Sequence, residues 1–190
     1  MRIRCFVAIN LDERLKRDLY HATEELRDMQ CDVKWVPMEN VHITLKFLGD
    51  TPEDFIPKIG ERLAAVSGPH VPFRMKLHGA GVFPDRRRPR VVWIDIPDSD
   101  KLIKLQKKVE ESLVIIGFQE DNRPFTPHLT IGRVRSPKGN ASLVRMVETL
   151  KENDFGIIKV EKISLMKSDL KPSGAQYTSV AEYYLGKEGG

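Results

Sequence analysis

The chain has 190 residues, 41% of them hydrophobic and 31% charged, with a formal net charge of +4; this length suits one domain, or two small lobes sharing a core, and the composition excludes a disordered chain. No stretch approaches the roughly 20 apolar residues of a membrane span, and the start carries Arg2 and Arg4 without the apolar segment of a secretory signal, so no membrane contact is expected. Cys5 and Cys31 stand in no metal or redox spacing, which predicts reduced thiols and a cytoplasmic location.

In chain order, residues 4–9 read as a strand. Residues 12–29 read as one helix, with Leu15, Leu19, Ala22, Leu26 and Met29 at steps of three and four. Residues 33–36 and 41–48 read as strands around a turn at Met38, Glu39 and Asn40. Thr51 followed by Pro52 reads as a helix start, and the helix is expected to run to about Val66. Residues 73–77 and 91–96 read as strands flanking an arginine-rich loop. A long helix over 99–116 is ended by Gly117. A strand over 125–134, a short helix over 142–151, and strands over 157–166 and 176–184 complete the chain. Helix and hairpin in each half argue for α+β with mostly antiparallel sheet.

Two of these strands say nearly the same thing. Val41-His42-Ile43-Thr44-Leu45 and Pro127-His128-Leu129-Thr130-Ile131 share the alternation apolar-His-apolar-Thr-apolar. Alternate strand residues share a face. His42 and Thr44 therefore point one way, and so do His128 and Thr130, while Ile43, Leu45, Leu129 and Ile131 face a core. Two imidazoles beside two hydroxyls suffice for an acid and a base on opposite sides of one phosphorus.

The paired motifs resemble those of the two-histidine (2H) phosphoesterases, which carry two His-x-Thr/Ser-x units. The closer resemblance is to the RNA 2',3'-cyclic phosphodiesterases long called 2'-5' RNA ligases. It extends to Arg4-Cys5-Phe6-Val7-Ala8-Ile9, Trp35-Val36, Lys46-Phe47-Leu48-Gly49, Gly81-Val82-Phe83-Pro84 and Ile163-Ser164-Leu165-Met166-Lys167-Ser168. It implies one domain over residues 1–190 with two pseudo-symmetric lobes, antiparallel sheets backed by helices, and the motifs facing each other across the cleft. It also implies an enzyme that opens the 2',3'-cyclic phosphate of an RNA end to a 2'-phosphate, with His128 as proton acceptor and His42 as proton donor. The reverse chemistry would be 2'-5' ligation. RNA ends, including tRNA fragments, are the implied partners, with no metal, no cofactor and a monomeric protein. The residues alone leave open which histidine is acid and which is base. They also leave open an RNA-end binding module that grips phosphate without turnover.

Thr44 and Thr130 are candidate donors to non-bridging phosphate oxygens. Arg133 falls on the Leu129 face by simple alternation; a bulge at Gly132 would turn it into the cleft as a phosphate contact. Lys46 falls on the His42 face, at the cleft rim or solvated. Phe47, Trp35 and Trp93 read as core, and Phe83 as the aromatic placed to stack on a base. Arg86, Arg87, Arg88 and Arg90 form either a solvated loop or a clamp for an RNA backbone. His78 shares parity with Arg74 and Lys76. Neither motif contains a carboxylate to complete a zinc site, and no phosphate-binding glycine loop occurs.

Overall fold

The computed structural model of the chain describes residues 1–172 and 174–186. Ten strands and five α-helices are assigned there, with two short 3-10 turns, all strand pairing is antiparallel, and the fold class is the α+β expected from the sequence. Strands β1 (Arg2–Asn10), β3 (His42–Pro52), β9 (Lys162–Lys171) and β10 (Gly174–Tyr184) form one sheet in the order β10-β9-β1-β3. Strands β2 (Val33–Trp35), β5 (Ala80–Phe83), β6 (Val91–Asp95) and β7 (His128–Val134) form a second, ordered β2-β7-β6-β5. Strands β4 (Phe73–His78) and β8 (Asp154–Val160) pair separately. Each motif strand therefore lies in its own four-stranded sheet, and β3 and β7 touch one another.

The helices α3 (Ile56–Ser67) and α4 (Asp100–Val114) pack on the first sheet. Helix α1 (Glu13–Ala22) packs on β8, and α5 (Asn140–Thr149) on β5. One apolar core joins these layers. Ile43, Leu45, Leu129 and Ile131 are all fully buried in it, as their alternation predicts. A separate small cluster of Phe6, Ala8 and Met166, with Tyr177 against it, covers the opposite face of the first sheet.

Several local readings are corrected. The helix over 12–29 starts as expected, with Asp12 accepting from the Leu15 amide at 2.8 Å. It breaks at Thr23, whose hydroxyl donates to the Leu19 carbonyl at 2.9 Å, and resumes as the single turn α2 (Glu24–Arg27). Thr51 is not a helix cap: it lies in β3 with its hydroxyl donating to Gly49 O, and α3 begins at Ile56 with a proline in its first turn. Residues 33–36 and 41–48 are not a hairpin, because β2 pairs with β7 while β3 pairs with β1. Residues 80–83 form the unexpected strand β5. The run 157–166 belongs to two strands in different sheets, divided at Glu161. No helix among the described residues is long and apolar enough to cross a membrane.

Candidate active site

The two histidines are held in the same way. His42 Nδ1 lies 2.7 Å from the carbonyl oxygen of Asn40, and His128 Nδ1 lies 2.7 Å from that of Thr126. A carbonyl only accepts, so each Nδ1 carries a hydrogen and each neutral ring leaves Nε2 as its free lone pair. His42 Nε2 accepts from the Thr44 hydroxyl at 3.0 Å. His42, Thr44, His128, Thr130 and Arg133, from both sheets, line one cavity of about 240 Å³. Asn40 is itself braced, its side-chain amide donating to Ala175 O on β10 at 2.8 Å.

Both motif strands carry a bulge at the same place. In β3, Thr44 pairs with Ala8 and Lys46 with Val7, so Leu45 has no partner in the register. In β7, Thr130 pairs with Trp93 and Gly132 with Val92, so Ile131 has none. The fourth residue of each His-x-Thr-x unit is thus the extra residue, and it reverses the alternation beyond it. The fifth residue after each histidine, Phe47 in β3 and Arg133 in β7, is turned outward to line the cavity. Arg133 reaches the cleft by the kind of re-aiming anticipated, with the bulge one residue earlier than Gly132. Gly132 matters for packing instead. A Cβ there would stand 2.7 Å from the Trp35 ring, so only glycine lets the indole lie against β7. Phe47 is not core; it is 63% exposed at the cavity wall.

The same bulge corrects Lys46, which is neither at the rim nor solvated. Its side chain is 1% exposed and its Nζ sits 2.5 Å from Glu110 Oε1 on α4. Nζ also donates to Gln119 O at 2.8 Å, and Glu110 accepts from the Asp121 amide at 2.9 Å. Gln106 donates to the carbonyl of the bulged Leu45 at 3.3 Å. A buried polar network thus ties the strand of the first motif to the segment entering the strand of the second.

The rings around the two imidazoles differ. His42 has the Phe6 ring at 4.8 Å and the Tyr177 ring edge-on at 5.2 Å. This burial, with smaller contributions from the nearby Lys16 and Arg133 cations, pushes its pKa down to about 4 against the support of its Asn40 hydrogen bond. His42 is therefore neutral at neutral pH, its pKa far below the ordinary imidazole value near 6.5. His128 has only the Phe83 ring edge-on, at 5.2 Å.

Asn40, Phe6 and Tyr177 escaped the sequence reading as site residues because none lies in a His-x-Thr-x unit, and Tyr177 is brought to His42 only by the β9–β10 pairing. His78 does not join the cavity. Its Nε2 is 3.9 Å from Glu152, and it lines a separate groove with Trp93, Arg86 and Arg87. Among the described residues no three or more His, Cys, Asp or Glu side chains gather as a metal cluster.

Known proteins resemble this chain in overall sequence and in fold. The family model described as the 2'-5' RNA ligase superfamily matches residues 15–172. An RNA 2',3'-cyclic phosphodiesterase of Methanothermobacter thermautotrophicus is 34% identical, over 97% of this chain and 100% of its own length. One from Aquifex aeolicus is 36% identical, over 97% of this chain and 98% of its own. Among solved structures, TT0787 of Thermus thermophilus superposes with a TM-score of 0.80 at 28% identity, over 98% of this chain and 100% of that one. Apo LigT of E. coli shares the fold, with a TM-score of 0.76 at 23% identity over 97% of this chain and 98% of that one.

Proposed function

Because the chain belongs to the 2'-5' RNA ligase superfamily, we propose that His42 and His128 open a 2',3'-cyclic phosphate at an RNA end as a general acid–base pair. The chain is a hydrolase of RNA 2',3'-cyclic phosphodiester bonds, as are its curated relatives at nearly full length. The observation that carries the mechanism is the matched tautomer: two imidazoles, each locked through Nδ1–H to a backbone carbonyl, turn Nε2 toward one cavity from opposite sheets. His128 Nε2 takes the proton of the attacking water as its oxygen bonds to phosphorus. The P–O3' bond breaks, and His42 Nε2–H delivers its proton to O3', leaving a 2'-phosphate. Thr130 and Arg133 hold the non-bridging oxygens, and Thr44 joins them once protonation of His42 Nε2 frees its hydroxyl hydrogen. Phe47 offers an exposed face beside the cavity for the terminal base. The continuous core joining both sheets supports reading the chain as one domain.

His42 acquires the proton it donates together with the substrate. Burial, with smaller contributions from Lys16 and Arg133, holds the imidazole neutral, and a bound phosphate anion beside the ring favours the imidazolium against both. The expected profile is bell-shaped; a donor must carry its proton, so His42 sets the limb that falls as pH rises, and in kcat that limb lies well above the depressed value of about 4 because the anion favours the imidazolium. Removing a cation also raises the His42 pKa, so Arg133→Ala should move this alkaline limb upward as well as weaken binding. A limb that stays in place in Arg133→Ala would detach His42 from it.

The direct experiment is turnover of a nucleoside 2',3'-cyclic phosphate by the pure protein in EDTA, with the product isomer identified by phosphorus NMR. The expected product is the 2'-phosphate at a rate unchanged by the chelator. Binding without turnover would make the chain a phosphate-gripping module. Activity lost in EDTA and restored by zinc or manganese would remove the two-imidazole mechanism.

A further inference from the structure

Resting on the cyclic-phosphate reading, we infer that the β5–β6 hairpin is a second subsite, which holds the unpaired RNA strand leading into the reacting end. The substrate class is then a single-stranded oligoribonucleotide rather than a mononucleotide.

The face of the second sheet that carries His128 continues across β6 into β5. The register sets Asp95 beside His128, Trp93 beside Thr130, and Gly81 beside Trp93. From His128 outward the surface is aromatic: the Phe83 ring meets His128 at 5.2 Å and stacks on Trp93 at 4.9 Å with an interplanar angle of 25°. Gly81 makes this floor possible. A Cβ at that position would stand 2.3 Å from the indole, so only glycine lets Trp93 lie across β5.

The arginines grow out of this floor on a fixed turn. Asp85 Oδ1 accepts from the amides of Arg87 at 2.7 Å and Arg88 at 3.0 Å. The base of the hairpin is closed by the Arg90 amide on Phe83 O at 2.6 Å and by the Val134 amide on Arg90 O at 2.9 Å. Arg87 is four residues from Phe83, so its backbone stands within about 14 Å of a ring that touches the catalytic histidine. A groove of about 880 Å³ opens beside Trp93, walled by Arg86, Arg87 and Lys151 among others. Of its carboxylates, Asp85 is held in the turn, Glu148 pairs with Arg86 at 2.8 Å, Asp95 accepts from the Ile96 amide at 2.8 Å, and Glu152 lies 3.9 Å from His78. Among the described residues, Arg87, Arg88 and Lys151 have no carboxylate partner.

An aromatic platform followed by unpaired cations is how single strands are gripped: bases stack on the rings while the charges follow the phosphates. A mononucleotide has one phosphate and leaves this surface unused. The catalytic cavity of about 240 Å³ accommodates little beyond that end.

The test compares Arg87→Ala/Arg88→Ala with the wild type. Both side chains are exposed, and the Asp85 turn holds only their backbone. The substrates are a nucleoside 2',3'-cyclic phosphate and a single-stranded RNA octamer ending in the same cyclic phosphate. The expected result is a roughly tenfold loss of kcat/KM for the octamer, a shallower salt dependence by about one unit of slope, and mononucleotide turnover within twofold of wild type. An unaffected octamer, or equal losses on both substrates, overturns the subsite. Fluorescence anisotropy with the same octamer measures the subsite without chemistry. If the wild type turned over neither substrate, the catalytic reading would fail, and a tenfold loss of octamer affinity in the variant would still support the track. Equal affinity of the two proteins for the octamer would remove it. A duplex that competes as well as the single strand would overturn the stacking role of Phe83 and Trp93.

Discussion

His42→Ala and His128→Ala are each expected to lower kcat by about 10²–10⁴, the range for loss of a general acid or base. The double variant should lose less than the product of the two, because both imidazoles act on one transition state. The two substitutions should differ in their side effects. His42 is packed between Phe6 and Tyr177, so truncation opens a void against the small apolar cluster of the first sheet. His128 has a single ring contact and should be structurally milder. His42→Gln therefore serves as the fuller-volume control, with circular dichroism and Tm reported beside kcat. Thr44→Ala and Thr130→Ala should lose less, since each removes one hydrogen bond rather than a proton-transfer group. A folded variant lacking either imidazole and turning over near the wild-type rate would end the acid–base assignment.

Lys46→Ala is expected to lower the unfolding free energy by about 3–5 kcal/mol, because it leaves the largely buried Glu110 carboxylate without its cation. Lys46→Met/Glu110→Leu should recover most of that loss, since apolar groups of similar volume replace a buried pair at little net cost. Urea titrations of the two variants and the wild type measure both effects. A single substitution costing under about 1 kcal/mol would show that Lys46 and Glu110 are not dependent on each other. The pair also holds Gln119 and Asp121, at the start of the segment that ends at Thr126, the carbonyl partner of His128. Stability and the placement of the second motif are therefore linked through one buried lysine.

The order of amino acids was enough for the features whose signals are local. Alternation around His42 and His128 marked two strands with their polar faces, and Ile43, Leu45, Leu129 and Ile131 are buried as that pattern requires. Asp12 marked a helix start through a side chain three residues from the amide that donates to it, and Gly117 marked a helix end through a left-handed φ of 99°. What lies beyond the fourth residue of each motif was not legible there. A bulge arises from the mismatch of one strand against its partner, so the alternation of β3 alone assigns Lys46 to the cleft and Phe47 to the core, the reverse of what pairing with β1 produces. The same holds for partners: the spacing of residues 33–36 and 41–48 reads as a hairpin, yet the two strands join sheets on opposite sides of the site. The depressed pKa of His42 also belongs to the tertiary structure. It depends on Phe6, Tyr177, Lys16 and Arg133, which are distant in sequence and meet at one ring. Residue types and their periodicity specify which groups can do the chemistry, because those depend on neighbours along the chain. Which of them face one phosphate, and with what charge, depends on contacts between strands, and those exist only after both sheets have closed on the common core.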